Sequence, residues 1–496
     1  MAIPVFLWLI WLPLAAAPLV YLLGRLLPGR QLGRWTAFLA LLATWIPFVL
    51  TWRAFLSGET LSYTLGQVTL RVDGISLLVA AVVLALATLT AYYSAPTLEG
   101  ATGEEKYYAM LVAMTGSMIG LGCAADLFNL WIWFETMAVT SYLLVAYYRD
   151  QPVSLEAGVK YLVQSVTGSV LVLFGIALVL AHTGTLALAD IQARATTSPI
   201  LLAAGGLFIV GFGVKIAIVP LHTWLPDAYS QAPSGISAML SGVVIKVGLV
   251  ALLRALAALA GITSSWGLLL MGMGALNMFV GNLLAWPQTE VKRLLAYSSL
   301  SHVGYMLLGV GITIYAGEVT GAEGGFFHVI THGLMIGLAF FASGALLYAL
   351  HTITGDHTPL TIEELSGSAW RYPLVAAALT LALLGLGGIP PLAGFMSKWR
   401  ILMAGMGTGQ LLIIGFVAFA ALNSVFSLAY YMPLVQVVFR REMSLPVRAG
   451  RALPQAMTLP IVLLAVAIVA IGLWPNLLRD LTAPAGAALL TMFGPP

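Results

Sequence analysis

Fourteen runs of apolar residues, each near the ~20 residues that carry a helix across a ~30 Å hydrocarbon core, leave this chain one environment in which to fold. They lie near residues 3–27, 35–56, 73–95, 107–123, 127–148, 157–181, 199–219, 233–258, 266–286, 294–314, 326–350, 373–403, 409–439 and 457–478. Val170 to Ala181 reads VLVLFGIALVLA, with no alternation of polar and apolar positions. Strands of a membrane barrel are shorter and do alternate, so these runs predict helices, which satisfy their own backbone hydrogen bonds in lipid. Charge content agrees: 8% of the 496 residues are charged, against about 25% in soluble proteins. The expected fold is an all-α polytopic membrane protein of about fourteen transmembrane helices.

The first run has no basic segment before it and is followed by further runs, which predicts a retained helix and not a cleaved signal peptide. No separate soluble domain is expected. The longest polar segments are Ser57–Val72, Glu99–Lys106, His351–Arg371 and Arg440–Pro454, all of loop length. Within the first, LSYTLGQVTLRV (61–72) alternates and predicts a small extracytoplasmic hairpin. The chain ends soon after the fourteenth run, which predicts a short tail.

Cytoplasmic loops of membrane proteins are enriched in Lys and Arg. With the N-terminus outside, the cytoplasmic loops hold Arg25, Arg30, Arg34, Lys106, Arg149, Lys292, Arg293, Arg371, Arg440, Arg441, Arg448 and Arg451. The opposite side holds Arg53, Arg71, Arg194, Arg254 and Arg479. Both termini are therefore expected outside, in a cell (plasma) membrane. The net charge is only +3, and no basic patch suits nucleic acid. Cys123 is the single cysteine, which rules out an internal disulfide and a thiolate metal cluster. Glycine-rich dinucleotide fingerprints, P-loops and flavin motifs are absent, so no cofactor and no redox chemistry is expected of this chain alone.

Against this apolar background stand Lys215, Lys246, Lys398 and Glu135. An ionisable group at bilayer depth costs at least a few kcal/mol unless it faces a partner or water, and by default it marks function. Two of the lysines accompany helix breakers. GFGVKIAIVPLHTWLPDAY (211–229) places Lys215 before Pro220 and Pro226, and GLGGIPPLAGFMSKW (385–399) places Pro390 and Pro391 before Lys398. Proline removes a backbone donor, and paired interruptions in two halves of a transporter point to its ion site. The plainer alternative is that proline and glycine are simply common in membrane helices. Lys246 stands about a dozen residues from either end of its run, too deep to snorkel to an interface.

Three segments carry a specific resemblance: VKIAIVPLHTWLPDAYSQAPSGISAMLSGVVIKVG (214–248), KRLLAYSSLSHVGYMLLG (292–309) and GIPPLAGFMSKW (388–399). They look like the antiporter-like subunits shared by respiratory complex I, Mrp-type sodium/proton antiporters and membrane-bound hydrogenases. The likeness runs from about Asp73 to Trp399 and includes FNLWIWFETMAV (128–139). It implies two inverted five-helix repeats, 107–258 and 266–439, each with one broken helix, between N-terminal helices (1–106) and a C-terminal helix and tail (457–496). It also implies a proton-translocating role among other membrane subunits, as in the D-type Mrp or M- and N-type complex I subunits.

Carried over by residue, the resemblance makes Glu135 and Lys215 a charge pair, Lys246 the central lysine and Lys398 the exit group. The physics is coherent: an opposite charge favours the ammonium, desolvation opposes it, and moving Glu135 loads or unloads Lys215. A static pair that only fixes helix packing is the alternative. Histidines can relay protons near neutral pH. His302, with Ser298, Ser299, Ser301 and Tyr305, suggests a hydrated relay, and His328 and His332, four apart, share a helix face. That spacing also suits a metal, but HVITHG lacks the third ligand and the acidic base of a zincin, so no metal is expected. His222, beside the first break, either helps hydrate the path or caps the broken helix. Asp73 and Asp227 are expected to cap helix starts.

One departure stands out. Many members carry a lysine about four residues after the equivalent of His332, where this chain has Ile336 and Gly337. Lys246 and Lys398 must then be linked through histidine, serine and water. The competing class is a self-sufficient secondary cation/proton antiporter, which paired broken helices fit equally well, and Na+ stays open as a second carried ion.

Overall fold

A computed structural model describes residues 4–27, 31–66, 68–351 and 358–494. Arg30 and the centre of the polar segment after His351 lie outside the described residues. Among those described, eleven helices are long and apolar enough to cross a membrane. In chain order the helices used below are α1 (Trp8–Leu26), α2 (Leu32–Leu56), α3 (Gly74–Tyr93), α4 (Glu104–Cys123), α5 (Leu127–Val145) and α6 (Pro152–Thr183). Next come α7 (Pro199–Ile216), α8 (Leu225–Gln231), α9 (Ser234–Ala258), α10 (Trp266–Ala285), α11 (Val291–Ala316) and α12 (Val319–His351). Then follow α13 (Pro373–Gly387), α14 (Ala393–Gly407), α15 (Leu411–Val438), α16 (Gln455–Leu473) and α17 (Arg479–Phe493). The expected runs outside the eleven are helical too: α4 and α5 are less apolar, and the twelfth run divides into α13 and α14.

The 61–72 segment forms the expected hairpin. Strands β1 (Ser62–Leu65) and β2 (Val68–Arg71) pair antiparallel, with Ser62 opposite Arg71 and Leu65 opposite Val68. The short tail after α16 is itself helical: it forms α17, whose Leu481, Ala485 and Leu489 are buried. Their four-residue spacing is a helical stripe. The helix packs so closely on α3 that a Cβ at Gly74 would lie 2.4 Å from the Pro484 carbonyl oxygen.

Helix α9, with Lys246, is wholly buried, whereas α2 and α15 are mostly exposed on the rim. Small residues make this depth possible. Helices α10 and α11 cross along Gly267, Gly274 and Gly281 on one and Ser301, Gly304 and Gly311 on the other; a Cβ at Gly304 would lie 2.4 Å from the Gly274 carbonyl oxygen. Between membrane helices such close backbone approach replaces the hydrophobic drive. It presses the histidine-bearing α11 against its neighbour.

Two loop charges are relocated. Arg254 lies inside α9, where its guanidinium meets Asp73 at 3.0 Å and donates to Ser76 Oγ and the Gly122 carbonyl. Lys292 is buried in the first turn of α11 and donates to the Ala232 carbonyl at 2.8 Å. Asp73 caps α3 as expected, through a reciprocal bond with Ser76. Asp227 does not cap; it sits in the first turn of α8 and pairs with Lys160 at 3.0 Å and Arg293 at 2.8 Å. Two cations within reach outbid the local backbone.

Candidate functional site

Both broken helices leave backbone groups that a continuous helix would satisfy, and side chains take them up. Helix α7 ends at Ile216, and Ala217 adopts a left-handed conformation with φ 59°. Asn277 of α10 accepts from the Val219 N–H at 2.9 Å and donates to the Ala217 carbonyl at 3.3 Å. Trp224 Nε1 donates to the Val214 carbonyl at 2.8 Å. At the second break, Gly388 takes the left-handed turn at φ 84°, and Ser424 donates to the Gly387 carbonyl at 3.2 Å. These contacts meet the rule that irregular backbone at membrane depth survives only where protein or water satisfies it. Asn277 was missed in the sequence, where GALNMFVGN (274–282) holds it among apolar residues together with Asn282.

Lys215 stands on the last turn of α7, before the break, with 1% exposure. Its ammonium donates to Tyr161 OH at 2.5 Å and Ser141 Oγ at 3.0 Å, and those two hydroxyls lie 2.9 Å apart. Tyr161 is fixed by stacking on Trp224, with centroids 4.0 Å apart and planes 6° from parallel. The break thus places Trp224, which orients Tyr161, which holds the lysine. Glu135 of α5 makes no ion pair with Lys215, and its Oε1 is buried without a hydrogen-bond partner. The two groups expected as a pair are neighbours that do not touch in this arrangement. His222 lies in the turn between α7 and α8, with Nδ1 buried and unpartnered. It does not cap α8, which starts after Trp224 with no side-chain cap.

Lys246 follows a π-helical turn, Leu240–Val244, inside α9. Such turns often occur at functional sites. The ammonium donates to two carbonyls of that turn, Gly242 at 2.6 Å and Ser241 at 3.0 Å. It faces α12 where Gly333 leaves room: a Cβ there would lie 3.6 Å from Nζ. The neighbouring residue, His332, has both ring nitrogens buried and unpartnered.

From His332 the imidazoles form a cluster. Its ring centroid lies 4.6 Å from that of His302, whose Nδ1 lies 3.0 Å from His328 Nε2. His328 Nδ1 in turn lies 2.8 Å from Ser397 Oγ, beside Lys398 in the chain. The far nitrogen of His302 lies 3.4 Å from Tyr431 OH, which also hydrogen-bonds Ser298. His302 is therefore joined to a hydroxyl relay, but its members differ from those expected. Ser299 bonds Ser241, and Ser301 receives Asn423.

Lys398 stands on the second turn of α14, after the break, and is 4% exposed, so it does not reach an aqueous edge. It donates to the Leu386 carbonyl at the end of α13 and to Ser424 Oγ, both at 2.8 Å, and lies 4.9 Å from the Tyr305 ring centroid. The site is thus a buried line through one molecule: Glu135 and Lys215, then Lys246, then His332, His302 and His328, then Ser397 and Lys398. Direct hydrogen bonds join His302, His328 and Ser397. His332 meets His302 through a ring contact alone and has no hydrogen bond to Lys246.

The profile of the family described as "NADH:quinone oxidoreductase/Mrp antiporter, TM" matches residues 124–427, a segment that contains every one of these groups. The chain is 31% identical, over 97% of its length and 98% of the relative's, to F(420)H(2) dehydrogenase subunit N of Methanosarcina mazei. It is 32% identical to NADH-quinone oxidoreductase subunit N of Desulfitobacterium hafniense, over 78% of this chain and 79% of the relative. Its backbone is similar to a chain in the membrane-bound sulfane sulfur reductase, an archaeal respiratory membrane complex, with a TM-score of 0.87, 28% identity and 98% of both chains covered.

Proposed function

Because this chain belongs to the NADH:quinone oxidoreductase/Mrp antiporter family of transmembrane subunits, we propose that it moves protons along its buried line as one membrane subunit of a larger complex. The relatives are subunits, not self-contained carriers. The energy therefore comes from partner subunits, and the lone secondary antiporter is not carried further. The fourteen-span count, the two inverted repeats 107–258 and 266–439, and extracytoplasmic termini belong to this same reading.

The observation that supports it best is the orphaned Glu135 oxygen beside a lysine held by neutral hydroxyls. A carboxylate oxygen shielded from water without a partner is costly, and a move of the glutamate toward Lys215 would give it one. That move favours the ammonium, and withdrawal favours release of its proton toward Lys246. The imidazoles then carry the proton across the cluster, each ring accepting at one nitrogen and donating at the other. Lys398 receives it last.

The test is proton pumping by the assembled complex in sealed vesicles. Glu135→Gln keeps shape and removes charge, so pumping should fall while assembly stays intact, and Lys215→Ala should be at least as damaging. If both variants pump at the unmodified rate, the charge-pair step is wrong.

A further inference from the structure

Two cavities meet at the end of the bundle where α2, α11 and α16 begin and α3 and α12 end. One, of about 460 Å3, is polar and has Lys292 and Arg451 in its wall. The other, of about 310 Å3, is walled mainly by apolar and aromatic residues such as Trp35, Phe38 and Ala456, with Arg34 at its edge. Pro96, Glu99 and Tyr348 line both, so the two form one recess with a basic end and an apolar, aromatic end.

The basic end presents two cations that no carboxylate pairs among the described residues. Lys292 is 6% exposed and, among the described residues, donates to the Ala232 carbonyl alone, whereas an ammonium carries three donors. Arg451 lays its guanidinium over the Tyr348 ring at 4.6 Å, and its Nε is buried without a partner. Neither joins an ion pair among the described residues. The carboxylate in the wall, Glu99, is engaged by Gln31 Nε2 at 2.9 Å. An anion with a free phosphate geometry suits such a pair.

The level of the recess decides which anion. Its basic end lies at helix ends, the depth of lipid headgroups, and the apolar end runs inward along α2, as acyl chains do. Trp35 is 45% exposed toward the rim, as interfacial tryptophans are. Basic pockets between membrane helices bind anionic headgroups. We propose that this recess binds an anionic phospholipid, its phosphate between Lys292 and Arg451 and its chains beside Trp35 and Phe38. The site is separate from the buried line and does not rest on the proton reading.

The experiment is photolabelling of the assembled complex in liposomes with a photoreactive phosphatidylglycerol whose reactive group is on the acyl chain, followed by peptide mapping. Label is expected on the segments around Trp35–Phe38 and Ala456. Excess phosphatidylglycerol should compete, and phosphatidylcholine or inorganic phosphate should not. Lys292→Gln with Arg451→Gln should lower the label ~10-fold, the loss of about 1.4 kcal/mol of binding. Ala456→Trp, which fills the apolar end and leaves both cations in place, should lower it similarly. Absence of label at these segments, equal competition by phosphatidylcholine, displacement by inorganic phosphate alone, or indifference to both sets of variants would each overturn the proposal.

Discussion

Lys215 and Lys398 both stand beside a broken helix, but on opposite sides of the break and in different company. Lys215 is on the last turn before its break and is caged by two hydroxyls, with a carboxylate poised nearby. Lys398 is on the second turn after its break; it is bonded to one terminal carbonyl of the preceding half-helix, that of Leu386, and to Ser424, and its chain neighbour Ser397 meets His328. The C-terminal end of α13 carries the partial negative charge of its macrodipole, so Lys398 finds compensation in fixed backbone. Lys215 is held by side chains alone. On the proposed function, that end of the line is the one open to switching and the other the one that holds a charge in place.

The backbone at the two breaks differs in the same sense. The second break turns on Gly388, for which a positive φ is free of strain. The first turns on Ala217, where the left-handed conformation costs roughly 1–2 kcal/mol, and Asn277 holds it from another helix. Strain of this kind persists only where the surroundings over-determine it, and it collects at functional sites.

Lys246 belongs to both halves, so the largest effect is expected there. Lys246→Met should abolish proton flux driven from either side of the vesicle, while leaving a folded complex, because an apolar replacement removes a buried charge. Loss from one side only would show that the two ends work independently. Next, His302→Gln combined with His332→Gln should slow flux by roughly 10²-fold, the scale on which a positioned proton-transfer group acts. Stopped-flow pH indicator measurements would read it, and full activity would mean that water alone crosses between Lys246 and Lys398.

A smaller, opposite effect is expected of Ile336→Lys in the His332→Gln background. Ile336 is buried one turn beyond His332 on the same face of α12, so a lysine there should restore part of the lost flux. No recovery would place the missing step elsewhere. The smallest effect is on stability. Asn277→Ala leaves the Val219 N–H and the Ala217 carbonyl without a side-chain partner, at a cost of about 1–3 kcal/mol. A lowered thermal midpoint of the detergent-solubilised complex, absent in the parallel Ser424→Ala variant or weaker there, would sharpen the contrast between a strained break and a relaxed one.

Much of this was legible in the chain because lipid is an unforgiving solvent. Where water is absent, only helices satisfy the backbone, so apolar runs read directly as helices. A charge inside one is costly and marks function by default. Lys215, Lys246, Lys398, Glu135 and the three histidines were found on that ground, the breaks by their prolines and the 61–72 hairpin by alternation. Arg254 and Lys292 were misplaced into loops because they lie near the ends of runs, where one dimension does not distinguish a wetted charge from a buried one.

Which groups meet was decided by the fold alone. Nothing in the sequence told that Tyr161 and Ser141, twenty residues apart, converge on Lys215, or that His302 stacks between His328 and His332 across two helices. Hydroxyls and asparagines are common in membrane helices and announce nothing until a neighbouring helix supplies their partner. That pairing depends on how closely α10, α11 and α12 approach, and their glycines set that distance only once the helices are packed. Sequence determined what must be buried; packing determined what it is buried against, because hydrogen bonds reach about 3 Å and the separation of residues along the chain says nothing at that range.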